Sequence, residues 1–461
     1  MTPQSLVEHA VAATTADDCI AIVRDATSAN LRWANNTLTT NGVMHAVTVT
    51  VISFVRRADG IATGSVTSSA TTRAEVTALV QAADAAARAG SPAEDVNELV
   101  RDRVSSGDWD DAPVPTDIHV YDAFAPALGE AFGHASDGGR VLYGFVNHES
   151  TTTYLGSTTG LRLRHVQPTG HYGCTGKTAD LSQSAWVGGA TRDFSDVDAL
   201  GLEATLAQRL GWGARRVDLP AGRYDTILPP TAVADLMIDA YWRAGARVAH
   251  EGQSVFGKPG GGTRIGERIA RPGVDLFSDP RHPGLECASF VTAAASDNES
   301  SVFDNGLPLE HTHWLRDGVL TALLQTRYTA AMTQQPVTPM IDNLVLSVDD
   351  AGGTVEDLVA GTARGLLLTC LWYIREVDPQ TLLLTGLTRD GVYLVEKGEI
   401  TGAVNNFRFN ESPVDLLRRF SHASATEPSF SREWGDDYFS RTATPALRIP
   451  DFNMSSVSQA Q

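Results

Sequence analysis

Hydrophobic positions along the chain follow two periods. Over 73–88, Val76, Leu79, Val80 and Ala83 recur at i, i+3, i+4 and i+7, which predicts a helix with one buried face. Thr71 or Thr72 is placed to cap its start, and Gly90-Ser91-Pro92 to stop it. Before it the pattern changes to a helix over 4–15, strand-like runs at 19–25, 30–35 and 47–55, and two short strands around 61–66. Residues 91–115 turn to Pro, Asp, Ser and Gly with a single aromatic, Trp109, and read as a surface connection. A helix over 121–134, strands at 140–147, 151–157 and 161–169, and a helix over 196–210 complete this half as an antiparallel meander with helices.

A new start follows at Leu219-Pro220-Ala221-Gly222-Arg223-Tyr224-Asp225-Thr226-Ile227-Leu228-Pro229-Pro230, a turn, an apolar strand and a proline pair that ends it. The boundary falls there, giving an N-terminal α/β domain over 1–220 and a strand-rich domain over 221–461. Pro230 and Thr231 open a helix predicted over 232–248. Two hairpins are expected: Arg316-Asp317-Gly318 joining 313–315 to 319–324, and Lys397-Gly398 joining 391–396 to 399–404. The fold class is α+β, an N-terminal sheet with packing helices followed by a β-rich half. No repeat of 20 to 50 residues is apparent.

With 461 residues, 42% hydrophobic and 20% charged, the chain has the composition of a multi-domain globular protein. Its net charge of −19, from 55 acidic and 36 basic residues, argues against a nucleic-acid or anionic-membrane surface, which needs clustered Lys and Arg. No apolar run approaches the ~20 residues of a membrane span, and the first residues carry neither a basic leader nor a long apolar stretch, so a cytoplasmic location is expected. Cys19, Cys174, Cys287 and Cys370 lie far apart with no CxxC pairing, and are expected to be reduced and mostly buried.

An ordered series of patterns gives the chain a family resemblance. It runs ANLRWANNTLTTNGVMHAVTVTVISFVRRADGIATGSV, LPAGRYDTILPPTAVADLM, SSVFDNGLPLEHTHWLRDGVLTALLQTRYTA, PVTPMIDNLVLSVDDAGGTVEDLVAGTARGLLL and VDPQTLLLTGLTRDGVYLVEKGEITGAVNNFRF. Their order resembles the TldD/TldE (PmbA) metallopeptidase family over most of the chain, with residues 104–222 less distinctive. The resemblance implies an N-terminal α/β domain, a C-terminal domain on a curved, barrel-like sheet, and pairing of a TldD-type with a TldE-type subunit. It also implies, in the catalytic type, a zinc site built from a HExxxH helix and a distant C-terminal cysteine.

Zinc needs lone pairs from His, Cys or carboxylate, usually three in a catalytic site. By the resemblance, the motif positions fall on Ile238, Asp239 and Arg243: Ile238 offers no lone pair and Arg243 would repel the ion. No Cys lies between Leu371 and Gln461. His250-Glu251 begins a similar motif that Ser254 and Val255 fail to complete, and a polar helix end before a Gly-rich turn is the blander account. His311 and His313, two apart on a strand, share a face and could chelate, but no third ligand is apparent, and two histidines on a solvated strand are the preferred reading. Gly257–Gly262 lacks the spacing of a phosphate loop, and no GxSxG elbow is present.

The resemblance therefore points to a metal-free, TldE-like subunit that supports a zinc-bearing TldD-like partner in cutting unfolded or leader peptides, with no cofactor of its own. Two alternatives are a stand-alone hydrolase built from His250, Glu251, His311 and His313, and a non-proteolytic scaffold or binding homodimer.

Overall fold

A computed structural model describes residues 1–101, 105–435 and 441–458. Its first half is one six-stranded antiparallel sheet in the order β3-β2-β1-β4-β5-β6, formed by β1 (Asp18–Ala34), β2 (Thr37–Arg57), β3 (Gly60–Ser68), β4 (Arg140–Ser157), β5 (Arg162–Thr178) and β6 (Ser184–Thr191). The strands are longer than the runs read from sequence. The runs 19–25 and 30–35 are one 17-residue strand, and 140–147 and 151–157 are another of 18. A turn at Asn35-Asn36, with φ 52° and 57°, closes the first hairpin; asparagine tolerates this left-handed geometry at low cost.

Parity along β1 distributes the core. Odd positions Cys19, Ala21 and Val23 pack under α1 (Pro3–Ala13) and α2 (Arg73–Ala89). Further along, Ala29, Leu31 and Trp33 pack under α3 (Phe124–Asp137) and α4 (Ala199–Trp212). Even positions Ile20 and Ile22 point to the opposite face, where they meet Phe290, Val302 and Phe303 of the second half. A period-two strand thus carries helices on one side and the rest of the molecule on the other. The α2 helix starts with a capping box, Thr72 bonding the Glu75 N–H while Glu75 bonds back.

The second half holds a curled half-barrel sheet of ten strands and a second sheet of six. Arg216–Val217 joins the larger sheet beside Glu399–Val404, and Gly222–Leu228 lies near its centre, between Arg364–Leu368 and Leu447–Val457. Both expected hairpin turns form, Asp317-Gly318 at φ 48° and 72° and Lys397-Gly398 at φ 55° and 82°. The second arm of the first is only Val319–Leu320. Both sheets contribute to one large apolar core around α5 (Pro230–Trp242).

The helix expected over 232–248 is broken. α5 ends at Trp242 and a short helix, Ala246–His250, follows. Between them the backbone pairs sideways: the Leu324 N–H donates to the Ala244 carbonyl, and the Ala246 N–H to the Leu324 carbonyl. A neighbouring strand-like segment takes the hydrogen bonds that a continuous helix would have used. The 91–115 segment is also more engaged than a surface connection: Leu99 and Trp109 are buried, Trp109 edge-on to Tyr154 at 5.6 Å.

Candidate functional site

Buried ionisable groups converge on α5. The helix is enclosed on all sides, so Pro230 and residues 232–241 are all buried, yet Asp235 and Asp239 stand one turn apart within it. Asp235 is fully buried; its Oδ1 accepts from the Ser431 hydroxyl at 2.6 Å and the Glu433 N–H at 3.1 Å, while Oδ2 has no hydrogen-bond partner. Burial outweighs those two bonds and pushes its carboxyl up to about 7. Asp239 sits at the next turn with Oδ2 likewise unpartnered, and burial together with nearby Glu376 raises it to about 6 against the opposing pull of Arg243. Arg243 lies 3.7 Å from Asp239 and 3.4 Å from Glu376, a cation held between two acids.

The segment that covers this helix returns from the C-terminal end. Trp434 donates its indole N–H to the Asp235 carbonyl at 2.8 Å and meets Trp242 edge-on at 5.1 Å. Glu433 accepts from the backbone N–H groups of Tyr373 and Ile374 at 2.9 and 2.8 Å, tying the edge strand Leu371–Asp378 to the same cover. Arg432 is held between the rings of Trp186 and Trp372, 4.9 and 5.1 Å from their centroids. It also pairs with Asp390 at 2.9 Å and donates to Cys370 Sγ. Cys370 is free and fully buried, and burial pushes its thiol up to about 12, so it is a thiol rather than a thiolate. The other three cysteines are also free and buried.

The residues singled out from sequence fall in three places. Ile238, Asp239 and Arg243 are on and just after α5, with Ile238 deep in the apolar core. His311 and His313 do come together: Nε2 of the first lies 3.1 Å from Nδ1 of the second, both against the ring of Phe277. Their acidic neighbours, Asp279 at 3.5 Å from His311 and Asp275 at 3.8 Å from His313, stand at loose ion-pair distance. Burial, reinforced by His311, lowers the pKa of His313. His250 and Glu251 end the short helix apart from this pair, with Glu251 paired to Arg247 at 3.3 Å. Among the described residues, no three His, Cys, Asp or Glu side chains are grouped so as to hold a metal ion. The three positions that the family resemblance assigns to the motif do not fit zinc: they hold one apolar side chain, one carboxylate and one guanidinium, Ile238, Asp239 and Arg243.

Asp235, Glu433, Arg432 and Asp390 were not singled out from sequence. Asp235 carried a usable signal, a second acid four residues before Asp239 in an otherwise apolar helix. The other three carried none, because most of their hydrogen-bond partners are far away in sequence, from 42 positions between Arg432 and Asp390 to 206 between Ser184 and Asp390.

A cleft of ≈ 530 Å³ opens between the two halves, walled by 165–169 of β5, 188–192 at the end of β6, and Phe430 and Arg441 from the C-terminal segments. His171 stacks on Phe430 at 5.8 Å across the same junction.

An antiparallel sheet with helices on one face, joined to a half-barrel sheet packed around a buried helix, defines a two-part α+β protein. The chain belongs to the PmbA/TldA metallopeptidase family, whose C-terminal domain it matches over residues 221–456. It is similar in fold to TldE from Thermococcus kodakarensis, with TM-score 0.75 and 16% identity, covering 98% of this chain and 99% of that one. A candidate modulator of a DNA gyrase from Thermotoga maritima superposes with TM-score 0.72 and 16% identity over 95% of both chains. One from Bacteroides thetaiotaomicron does so with TM-score 0.71 and 14% identity over 99% and 98%. No protein of curated function matches the chain. Among the described residues, no helix is long and apolar enough to cross a membrane.

Proposed function

We propose that this chain is the non-catalytic, TldE-like subunit of a two-subunit peptidase, shaping the peptide path while a zinc-bearing TldD-like partner cuts unfolded or leader peptides in the cytoplasm. One observation carries this. At the positions where the family's ligands are expected, Ile238 is buried in the core and Arg243 is an ion-paired cation, so the local field and the lone pairs are both wrong for a divalent ion. The family fold is nevertheless kept over the whole chain. Such a fold, kept without ligands, is accounted for by a surface that another subunit uses. His311 and His313 offer two donors and no third, which gives a stand-alone metal site less support.

The test is purification of the tagged chain from its native host, followed by metal analysis of each subunit. Recovery of a HExxxH-bearing relative that holds the zinc is the expected result. Peptide cleavage by the reconstituted complex should then survive His250→Ala, Glu251→Gln, His311→Ala and His313→Ala within a few fold, whereas loss of a true base or ligand costs at least ~100-fold. Abolition of cleavage by Glu251→Gln in an intact assembly, or a stoichiometric zinc in the isolated chain, would overturn the proposal.

A further inference from the structure

A second cleft, of ≈ 500 Å³, lies at the junction on the side of α4 and has a different electrostatic character. Lys177 from β5, Arg209 from α4 and Arg216 from the strand Arg216–Val217 all line it. In a chain with net charge −19, none of the three has a carboxylate within ion-pair distance among the described residues. Lys177 rests over the ring of Tyr143 at 5.8 Å, and Arg209 donates to the Trp186 carbonyl. Arg209 is enclosed enough that burial pulls its pKa down. The one acid in the lining, Asp390, is already engaged by Arg432 at 2.9 Å and by the Ser184 hydroxyl at 2.6 Å. Three cations therefore line one cavity without a paired carboxylate among the described residues, and the enclosed Arg209 in particular is a charge that an anion from outside would neutralise.

The same wall carries an unanswered acceptor. Gln183 Oε1 is buried without a hydrogen-bond partner. A ligand that presents an anion beside an N–H satisfies both features, and the C-terminal residue of a peptide does so, with its carboxylate next to its own amide N–H. Tyr393, which closes the cavity from the half-barrel side, gives an apolar face for the terminal side chain. A bare phosphate would answer the cations and leave the amide oxygen unpaired.

We infer that this cleft binds an oxyanion, and that the C-terminal carboxylate of a peptide is its source, held by Arg209, Lys177 and Arg216 with Gln183 accepting from the peptide N–H. The peptide source rests on the reading of the chain as a peptide-handling subunit, whereas the oxyanion site rests on the cavity alone. A C-terminal clamp would set where a peptide enters the assembly without taking part in its cleavage.

The experiment is calorimetric titration of the full isolated chain with a hexapeptide as free acid, the same peptide as C-terminal amide, and inorganic phosphate. Because it reads binding without a partner or cleavage, its failure is separable from failure of the two-subunit proposal. The free acid should bind about 10-fold or more tighter than the amide, weaken with added salt, and be displaced by phosphate. Lys177→Met and Arg209→Met should each weaken the acid at least about 10-fold and leave the amide unchanged. Arg281→Met, which removes a surface charge outside the cleft, should change neither. Thermal melts check that the variants fold, and Lys177, whose side chain makes no hydrogen bond among the described residues, is the safer of the two. Equal binding of acid and amide, whether or not phosphate binds, would overturn the peptide assignment. No binding of acid or phosphate at millimolar concentration, or an equal loss in Arg281→Met, would overturn the site.

Discussion

Asp84 and Asp235 are both buried aspartates, 2% and 0% exposed, and their carboxyls are pushed in opposite directions. Burial opposes ionisation of each. Asp84 overcomes it because both its oxygens are used, one by the Ser53 and Thr14 hydroxyls and one by the Thr15 N–H and hydroxyl, so its pKa is lowered. Asp235 has one oxygen used and one idle, and rises to about 7. The stability consequences have opposite signs. Asp84, depressed in the folded state, contributes stability above the unfolded pKa of about 3.9, lost as pH falls through the folded value. Asp235, raised in the folded state, costs stability increasingly as pH climbs from about 4 to about 7. Asp235→Asn should therefore gain on the wild type as pH rises from 5 to 8, by several degrees in Tm on the order of 2–4 °C per kcal/mol. Asp84→Asn should lose by ~1–3 kcal/mol at pH 7. Melts of the three proteins across pH 5–8 check both, and parallel curves for wild type and Asp235→Asn would refute the first. Removing the cation at the next node is more severe: Arg432→Met takes away the closer of Asp390's two guanidiniums, leaving Arg389 at 3.6 Å, and should cost about 3–5 kcal/mol in urea unfolding. Asp239 was legible in the sequence by its place in the family pattern. The partner count that decides an aspartate's pKa was not, since Ser431 is 196 positions from Asp235.

Periodicity located the four α-helices of the first half and five of its six strands, found fewer of the elements in the second half, and missed where elements join. The α2 stripe of Val76, Leu79, Val80 and Ala83 is buried as its spacing predicts, and both Asp-Gly and Lys-Gly turns form. The strand β2 was read only over 47–55 because its first half lies at an open edge, pairing with β3 only from Val49 to Arg57, with residues 37–48 largely exposed; β1 and β4 were split where polar residues, Thr27-Ser28 and His148-Glu149-Ser150, interrupt the apolar pattern. The break after α5 was hidden for a related reason. Its cause is Leu324, a neighbour in space that the local pattern of 232–248 does not contain. Close approach is equally invisible. A Cβ added at Gly64 on β3 would meet the Ala83 carbonyl oxygen and the Ala87 nitrogen of α2, each at 2.3 Å, so the helix lies directly on the glycine. Gly64→Ala should push α2 off the sheet and cost about 1–3 kcal/mol, while Gly107→Ala, which meets nothing, should be close to neutral. Urea unfolding of the two variants decides it, and equal midpoints would show that α2 shifts at no cost.

At the scale of the whole molecule, the halves are more tightly joined than a boundary near residue 220 suggests. The even face of β1 does not end in solvent: Ile20 and Ile22, with Ile52, Phe54 and Leu163, share a core with Phe290, Val302 and Phe303. Phe303 is fully buried, with its ring 5.3 Å from that of Phe54. Polar contacts rim this core. Arg327 reaches Asp304 at 2.7 Å and the Glu98 carbonyl at 2.8 Å, Arg247 pairs with Glu94 at 3.0 Å, and the Ser301 hydroxyl bonds Asp95 at 2.5 Å. The exposed pairs among these add little on their own, and the apolar contact carries the coupling. The wild type should unfold in one calorimetric transition, because neither sheet can separate without exposing this shared surface. Phe303→Ala removes the ring at its centre, at a cost of about 3–5 kcal/mol if the cavity does not collapse. That loss falls on the junction and leaves the other large cores, around α1 and α2, around α3 and α4, and around α5, intact. The transition should then move to lower temperature and split in two, the earlier half losing protection from hydrogen exchange in only one of the sheets. Arg247→Ala, at the rim, should leave a single transition within about 1 kcal/mol of the wild type. A single undivided transition in Phe303→Ala, shifted no further than that of Arg247→Ala, would mean that the halves are held together elsewhere.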